Sequence, residues 1–461
     1  MRRTALASLL LLALVTGGPA AGASPPDAGG QWTMIARTPG HVTVIEDGNP
    51  AITQSPSWSL ALPLGKDLQP GVQTVEIGAA SYKKSQPAMA ASGASYHRGA
   101  FYADTFDGRL FKISPRGRVL WVWQAPNVLM TEPVFYRNLV FAGAGNNLFD
   151  VAGPRAVSEA GYIRGTGPNG IYAVDTRTGK TAWSFPTPGE AMPTFAVADG
   201  RVFAPTGDRH LYVLDAATGR LVRAVFDFGF DSMSSPALAG QRIVFGVNDP
   251  EAYLAVDTRT LAIVWAFHPS EAVGGMDSPA VDGDRVFVET AEVPWEIQRF
   301  TPFANRHAFR QVLYALDLAT GDVLWRADLG GGPKPANGQI SGQVLAAGGV
   351  VYATSALTGR VYAYRAADGA RLWSASLPHG ALTKAQPDLA DGLLLVGASD
   401  RGLYGLDPAS GAVRLRLPLP GPVSVGGMLV IDGHVAVLTA NGDFALLQLP
   451  RANATRGGET P

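Results

Sequence analysis

A short pattern recurs along the chain, and this repeat limits the folds that are open to it. Residues 171–183 read IYAVDTRTGKTAW, and residues 313–325 read LYALDLATGDVLW. Further copies occupy residues 111–121, 211–223, 253–265, 361–373 and 403–415, and a reduced eighth copy occupies residues 443–449. Neighbouring copies are mostly 40–48 residues apart, with two longer intervals, a period typical of tandem structural units.

Each copy predicts a β-hairpin. Apolar residues alternate with others up to an Asp, a Thr-Gly type turn follows, and a second strand carries Trp. A second pair of short apolar runs precedes each hairpin and flanks a turn at or near Asp-Gly, as in residues 193–205, 235–246 and 278–289. Each unit is therefore predicted to contain four antiparallel strands.

Such sheets need neighbours on both faces, and radial stacking supplies them. We therefore predict an all-β fold, an eight-bladed β-propeller of four-stranded antiparallel blades. The last unit stops after three strands, whereas residues 41–46 and 57–64 offer spare ones, so we expect an N-terminal strand to close the ring. A solenoid is the alternative. The repeated tryptophans are expected to pack between blades: Trp121, Trp183, Trp265, Trp325 and Trp373.

The N-terminus resembles an export signal. Two arginines precede an apolar run over residues 5–15, and Ala21-Gly22-Ala23 matches a cleavage pattern. A membrane anchor is the alternative, although the run is shorter than the roughly 20 residues that span a bilayer. The predicted organisation is a signal peptide (1–23), an N-terminal segment with the closing strand (24–80), the propeller (81–450) and a disordered tail (451–461).

Charge and cysteine content exclude several classes of protein. The formal net charge is −1, which gives no basic surface for nucleic acid. The chain has no cysteine, so it can form neither a disulfide nor a cysteine-linked lipid anchor. Its seven histidines lack zinc-binding spacing. We therefore expect a soluble periplasmic or secreted protein without a metal site or an integral membrane segment.

The pattern Y-A-x-D-x-x-T-G-x-x-x-W resembles the pyrroloquinoline quinone (PQQ) type propeller repeat over about residues 80–450. Departures occur at Ser114, Arg223, Leu261, Arg365 and Leu415. This repeat family includes quinoprotein dehydrogenases. It also includes non-catalytic scaffolds similar to the propeller lipoprotein of the outer-membrane β-barrel assembly machinery.

The resemblance implies two functions. Quinoprotein alcohol dehydrogenases hold PQQ and Ca²⁺ over the propeller centre beside a disulfide between adjacent cysteines. This chain has no cysteine, and no Glu, Asn and Asp trio in it matches the calcium ligands. We therefore predict no cofactor, no catalytic residues, and a binding or assembly module for a protein, a peptide or a small ligand. The alternative is a PQQ-dependent dehydrogenase with Ca²⁺ that oxidises alcohols or sugars. The oligomeric state stays open.

Two insertions indicate where binding takes place. They cover about residues 142–169 and 289–311, between the second and third strands of their units, and functional residues often lie on such loops. Aromatic and arginine side chains frequently anchor interfaces. The predicted ligand or partner residues are Trp295, Arg299, Phe303 and Arg306 in the second insertion, Tyr162 and Arg164 in the first, and Glu132, Asp231, Asp277, Lys334, Asn337 and Lys384 around the channel mouth.

Methionines concentrate in the links that lead into each first strand. They are Met89, Met130, Met192, Met233, Met276 and Met428. Methionine fills irregular gaps, so channel packing is one explanation. A hydrophobic ligand surface and a soft-metal site, most plausibly for Cu(I), are the other two.

Overall fold

The computed structural model describes parts of the chain between residues 38 and 450. The described residues are Thr38 and 45–54, 56–65, 73–77, 80–84, 91–150, 162–227, 229–231, 234–248, 251–269, 277–293, 308–333, 342–378 and 385–450. The predicted signal peptide and the predicted tail lie outside these ranges.

The described residues before sheet 1 form one short helix and three strands. They are α1 (Pro50–Thr53), β1 (Trp58–Ala61), β2 (Gln73–Ile77) and β3 (Ala80–Lys84). Asn49 caps α1, because its side chain accepts a hydrogen bond from the backbone N–H of Ala51. Strands β2 and β3 pair with each other in antiparallel register.

Four-stranded antiparallel sheets follow along the chain. Sheet 1 consists of β4 (Ala91–His97), β5 (Ala100–Thr105), β6 (Arg109–Ile113) and β7 (Val119–Gln124). Sheet 2 consists of β8 (Val134–Tyr136), β9 (Leu139–Ala144), β12 (Asn169–Asp175) and β13 (Thr181–Thr187). The chain between β9 and β12 forms a separate two-stranded sheet of β10 (Phe149–Asp150) and β11 (Ile163–Arg164). Sheet 3 consists of β14 (Ala196–Ala198), β15 (Arg201–Thr206), β16 (His210–Asp215) and β17 (Leu221–Phe226).

The next sheets repeat this order. Sheet 4 consists of β19 (Ala237–Ala239), β20 (Arg242–Asn248), β21 (Ala252–Asp257) and β22 (Ile263–Phe267), with the short β18 (Phe230–Asp231) also on β20. Sheet 5 consists of β23 (Ala280–Asp282), β24 (Arg285–Glu292), β25 (Ala308–Asp317) and β26 (Val323–Pro333). Sheet 6 consists of β27 (Val344–Ala347), β28 (Val350–Ser355), β29 (Arg360–Arg365) and β30 (Arg371–Ser376). Sheet 7 consists of β31 (Asp388–Ala390), β32 (Leu393–Gly397), β33 (Gly402–Leu406) and β34 (Val413–Pro418).

Sheet 8 combines the two ends of the described chain. Its first three strands are β35 (Val423–Ile431), β36 (His434–Thr439) and β37 (Asp443–Gln448). Strand β1 pairs with β37 in antiparallel register, with Trp58 opposite Leu446. One parallel bridge, between Gly426 and Gly93, connects this sheet to sheet 1. Of the earlier candidate strand at residues 41–46, the structure describes Ile45 and Glu46, and Ile45 makes one isolated parallel bridge to Ile431.

Tryptophans on the outer strands pack against the next sheet, as the repeat predicted. The indole Nε1 of Trp183 donates a 3.2 Å hydrogen bond to the carbonyl of Ala216, in the turn between the third and fourth strands of sheet 3. A Cβ on Gly219 in that turn would lie 2.5 Å from the Trp183 ring. The same indole-to-carbonyl bond joins Trp121 to Thr176, Trp265 to Leu318, Trp325 to Ala366 and Trp373 to Pro408.

The N-terminal Trp58 makes this contact too. Its Nε1 donates a 3.1 Å hydrogen bond to the carbonyl of Pro115, and a Cβ on Gly117 would lie 2.8 Å from its ring. Trp58 on β1 thus contacts sheet 1 as the repeat tryptophans contact their own neighbours.

Serine and threonine hydroxyl groups connect sheets 2 to 5 to one another. They lie just before the first strand of each sheet, at the other end from the turns that the tryptophans contact. The backbone N–H of Glu132 donates to Thr194 Oγ1 at 2.8 Å, and the N–H of Thr194 donates to Ser235 Oγ at 3.0 Å. The N–H of Ser235 then donates to Ser278 Oγ at 3.0 Å. Neighbouring sheets therefore contact at both ends, in an all-β architecture consistent with a β-propeller.

Candidate functional site

Both insertions lie at the same end of their sheets. The first separates β9 from β12, and the second separates β24 from β25, so each falls between the second and third strands. In an antiparallel meander this end also holds the links between successive sheets, whereas the other end holds the two tight turns. We call the first end the insertion face and the second end the turn face.

The first insertion is fixed to sheet 3 by reciprocal backbone hydrogen bonds. The N–H of Arg164 donates to the carbonyl of Gly207 at 3.0 Å, and the N–H of Glu190 donates to the carbonyl of Arg164 at 2.9 Å. The N–H of Gly207 donates to the carbonyl of Glu190 at 2.9 Å. Three segments distant in sequence, at Arg164, Glu190 and Gly207, are therefore joined in one closed set.

Two glycines permit this close approach. A Cβ on Gly207 would lie 2.2 Å from the carbonyl oxygen of Arg164. A Cβ on Gly165, whose φ is +105°, would lie 2.4 Å from the backbone nitrogen of Glu190. Backbone atoms cannot move aside as side chains do, so these positions require glycine, and the described part of the insertion forms a fixed wall.

The side chains of two residues in this wall form a buried ion pair. Arg164 is 5% exposed and Glu190 is fully buried, and their Nη1 and Oε1 atoms are 3.4 Å apart. The other carboxylate oxygen of Glu190 accepts the backbone N–H of Met192 at 2.6 Å. Burying either charge alone would be costly, so the pair holds this link in place.

A second arginine, which the sequence analysis missed, lies on the same wall. The Arg209 guanidinium lies over the Tyr162 ring, with 5.4 Å from Cζ to the ring centroid. Tyr162 packs edge-on against Phe149, with their centroids also 5.4 Å apart. Burial lowers the pKa of Arg209, and the nearby Asp227 carboxylate opposes that shift.

Two of the predicted acidic residues lie at the start of the inner strands. Glu132 is 3% exposed and Asp277 is 5% exposed. The backbone carbonyl of Asp277 accepts hydrogen bonds from Ser234 Oγ and from the Tyr253 hydroxyl, both at 3.0 Å. Asp231 lies on β18, whose backbone pairs with β20, and its side chain lies outside the described atoms.

Two further buried carboxyl groups occupy equivalent positions in sheets 1 and 5. Asp104 is the fifth residue of β5, and Glu289 is the fifth residue of β24. Asp104 accepts hydrogen bonds from the N–H of Gly93 at 2.7 Å and from Thr131 Oγ1 at 3.3 Å, and burial raises its pKa to about 8. Glu289 accepts the N–H of Gly342 at 3.0 Å. Nothing in the repeat pattern marked these positions, because they fall between its turn signals.

Much of the predicted site lies outside the described residues. These positions are Trp295, Arg299, Phe303, Arg306, Lys334, Asn337 and Lys384, together with Met89, Met233 and Met276. Of the described methionines, Met130 and Met192 pack with Phe106 and Val128 in one small apolar cluster, and Met428 belongs to a core cluster. The described methionines therefore take part in packing.

Two negative findings apply to the described ranges only. They contain no group of three or more His, Asp or Glu side chains arranged to hold a metal ion. No helix within them has the length and apolar character needed to cross a membrane.

The stacked sheets, the wedged tryptophans and the single insertion-bearing face together define a β-propeller. The family described as "Outer membrane protein assembly factor BamB", a PQQ-type repeat family, matches residues 107–223 and 308–449, more than half of the chain. The protein belongs to this family.

Comparisons with individual proteins extend over more of the chain. Tetrathionate hydrolase from Acidithiobacillus ferrooxidans is 27% identical over 449 residues, which covers 93% of this chain and 87% of that protein. The crystal structure of BamB from Moraxella catarrhalis is similar with a TM-score of 0.57 and 16% identity, over 83% of this chain and 100% of that one. The quinohemoprotein alcohol dehydrogenase ADHIIG from Pseudomonas putida HK5 is similar with a TM-score of 0.51 and 15% identity, over 94% and 82% of the two chains. At these identities the two structures inform on fold alone.

Proposed function

We propose that the protein is an exported β-propeller enzyme that hydrolyses a polythionate-type sulfur oxoanion at its insertion face. The full-length similarity to tetrathionate hydrolase carries this proposal. The family match leaves residues 224–307 unmatched, and this interval includes most of the second insertion. An alignment that covers 93% of the chain must include more than half of that interval as well.

The described wall is suited to a rigid binding site. Its glycines, its backbone hydrogen bonds and the buried Arg164–Glu190 pair fix the described part of the first insertion in the absence of a ligand. A site that is already ordered loses little conformational entropy on binding. Arginine side chains on such a wall match the oxygen atoms of an oxoanion in charge and geometry.

The test is turnover by the purified full-length chain. Tetrathionate loss is followed by ion chromatography across acid and neutral pH, with heat-denatured protein as the control. Loss of tetrathionate that scales with protein concentration is the expected result. Absence of turnover at every pH, with a folded protein verified by circular dichroism, would refute the proposal.

A binding or assembly role is the second candidate, and the family match favours it. On this hypothesis the partner is a protein or peptide that contacts the insertion face, as the sequence predicted for Trp295 and Arg299. The combined variant Trp295→Ala with Arg299→Ala should then weaken partner capture from periplasmic extract without a large change in melting temperature. Equal loss from altering the turn-face residues Thr178 and Gly179 would remove the support for this face.

A PQQ-dependent dehydrogenase that holds Ca²⁺ is the third candidate, and the match to a PQQ-type repeat family is the observation behind it. Adding PQQ and Ca²⁺ to purified protein tests this reading directly. Bound quinone absorbance with dye reduction by alcohols or sugars would establish it.

Export and ring closure complete the proposal. We place the mature protein in the periplasm or outside the cell, on the basis of the signal-like residues 1–23. We also propose eight blades in a closed ring, with β1 as the outer strand of the last blade. The pairing of β1 with β37 and the contact of Trp58 with Pro115 support this closure.

A further inference from the structure

One backbone position in the turn between the second and third strands adopts a left-handed conformation in several sheets. The residues there are Gly108 (φ +79°), Arg209 (φ +67°), Gly359 (φ +65°), Arg401 (φ +61°) and Gly442 (φ +87°). Residues with a side chain are disfavoured at such φ values, and glycine is not. Two arginines therefore occupy a position where three other sheets have glycine.

The turn itself does not require arginine. The N–H of Asp227 donates to the carbonyl of Arg209 at 3.1 Å, and the N–H of Ala125 donates to the carbonyl of Gly108 at 2.7 Å in the same way. Arg401 shares this backbone conformation, so the conformation does not distinguish Arg209. The side chain of Arg209, and not its backbone, is thus the feature to explain.

That side chain reaches the wall of the insertion face. It lies over the ring of Tyr162, which the insertion supplies, and the carboxylate of the buried Asp227 favours its charged form. Arg209 is only partly buried, so part of its side chain is accessible to solvent. Arg401, in the equivalent position of sheet 7, is exposed.

We infer that Arg209, which lies over the Tyr162 ring, binds a terminal sulfonate group of the sulfur oxoanion. A guanidinium offers donors in a planar fork that matches two oxygens of such a group. The aromatic ring beneath it limits its orientation before binding, and the nearby Asp227 carboxylate favours its charged form. Arg209 contacts the substrate and stays protonated throughout, so it takes no part in proton transfer. This inference rests on the proposed hydrolase function and names its binding residue.

Isothermal titration of the full-length chain with tetrathionate tests the inference separately from turnover. Arg209→Gly introduces the residue that three other sheets carry at this position, so the backbone of the turn accepts it. We expect it to weaken tetrathionate binding by about tenfold or more, since a charge-assisted contact is lost. Arg209→Lys should recover part of the affinity. Arg401→Gly makes the matching backbone change away from the site and should bind as the wild type does.

The possible outcomes separate the two claims. Binding that is lost in Arg209→Gly, with no turnover by the wild type, would support the site and refute hydrolysis. Turnover with equal affinity in the wild type, Arg209→Gly and Arg401→Gly would support hydrolysis and overturn the role of Arg209. A wild-type protein that neither binds nor hydrolyses tetrathionate would overturn both. If the melting temperature falls in Arg209→Gly, Arg209→Lys is compared with the wild type instead, and equal affinity of the two proteins would contradict the inference.

Discussion

Among individual residues, Asp104 shows how burial couples stability to pH. Its carboxyl group is fully buried and its pKa is raised to about 8, and the hydrogen bonds from Gly93 and Thr131 only partly oppose that rise. The folded protein therefore keeps a proton on this group at pH values where the unfolded chain has released it. Folding stability that depends on Asp104 should be complete at acid pH, and it should decrease as the pH rises toward 8.

The substitution Asp104→Asn removes this titration and keeps the shape of the group. At acid pH the variant and the wild type should have similar melting temperatures. As the pH rises from about 5 to about 8, the variant should become the more stable protein, because the wild type loses about 1.4 kcal/mol per pH unit through this group. Melting curves recorded across this range measure the difference. Parallel curves for the two proteins would show that Asp104 titrates normally.

At the scale of elements, the contact between sheets 3 and 4, which we call a seam, lacks the tryptophan and glycine that other neighbouring sheets use. Arg223 stands where the repeat has tryptophan, and its side chain is exposed. In the facing turn of sheet 4, between β21 and β22, Leu261 occupies the position where the repeat has glycine. Its φ is +59° and it is 6% exposed. Elsewhere the tryptophan ring leaves no room for a Cβ on the glycine, as at Gly219. The two departures therefore compensate each other, because without the ring the buried leucine can fill the seam.

This compensation predicts a strong dependence between two substitutions. Arg223→Trp alone should lower the melting temperature, because the new ring would meet the side chain of Leu261. Leu261→Gly alone should also destabilise, because it removes a buried side chain. The double variant rebuilds the regular contact, so its loss should be smaller than the sum of the single losses by about 1–3 kcal/mol. Additive losses in thermal or denaturant unfolding would mean that the two positions do not interact.

The repeat units and the candidate site differ in how far the sequence could predict them. The repeat predicted the hairpins and the turn type, because these depend on residues close together in sequence, and it predicted the tryptophan contacts because the same pattern recurs in successive sheets. It also placed both insertions between second and third strands. Arg209, Asp104 and Glu289 escaped prediction because their environments come from other segments, such as Tyr162 from the first insertion. Their own neighbours in the chain look like ordinary strand ends and turns.

On the scale of the whole molecule, the proposed closure of the ring depends on residues near the N-terminus. Strand β1 pairs with β37, and the backbone N–H groups of Asp47 and Gly48 donate to Asp432 Oδ1 at 2.9 and 3.1 Å. Tyr96 of sheet 1 donates to Asp47 Oδ2 at 2.6 Å. The segment therefore joins the first and last sheets through both strand pairing and side-chain contacts.

Deleting residues 24–64 should lower the melting temperature sharply, because the edge of β37 and the turn around Gly117 would both lose their cover. Trp58→Ala should produce a smaller loss in the same direction. Deleting residues 451–461, beyond the last strand, provides the control and should leave the melting temperature unchanged. Scanning calorimetry can compare the three proteins. An unchanged melting temperature after the N-terminal deletion would reject closure by β1.

The described chain also enters and leaves on the turn face. Ile45 exchanges backbone hydrogen bonds with Val430 and Asp432, and the N–H of Leu449 donates to the carbonyl of Gly433 at 2.9 Å. These partners belong to one tight turn of sheet 8, on the side opposite the insertions. In a chain trimmed to Ile45 at one end and to Pro450 at the other, a linker fused to either of these residues would therefore begin on that side. A sensor surface or a carrier protein attached through it would leave the Arg209 wall directed toward the surrounding solution.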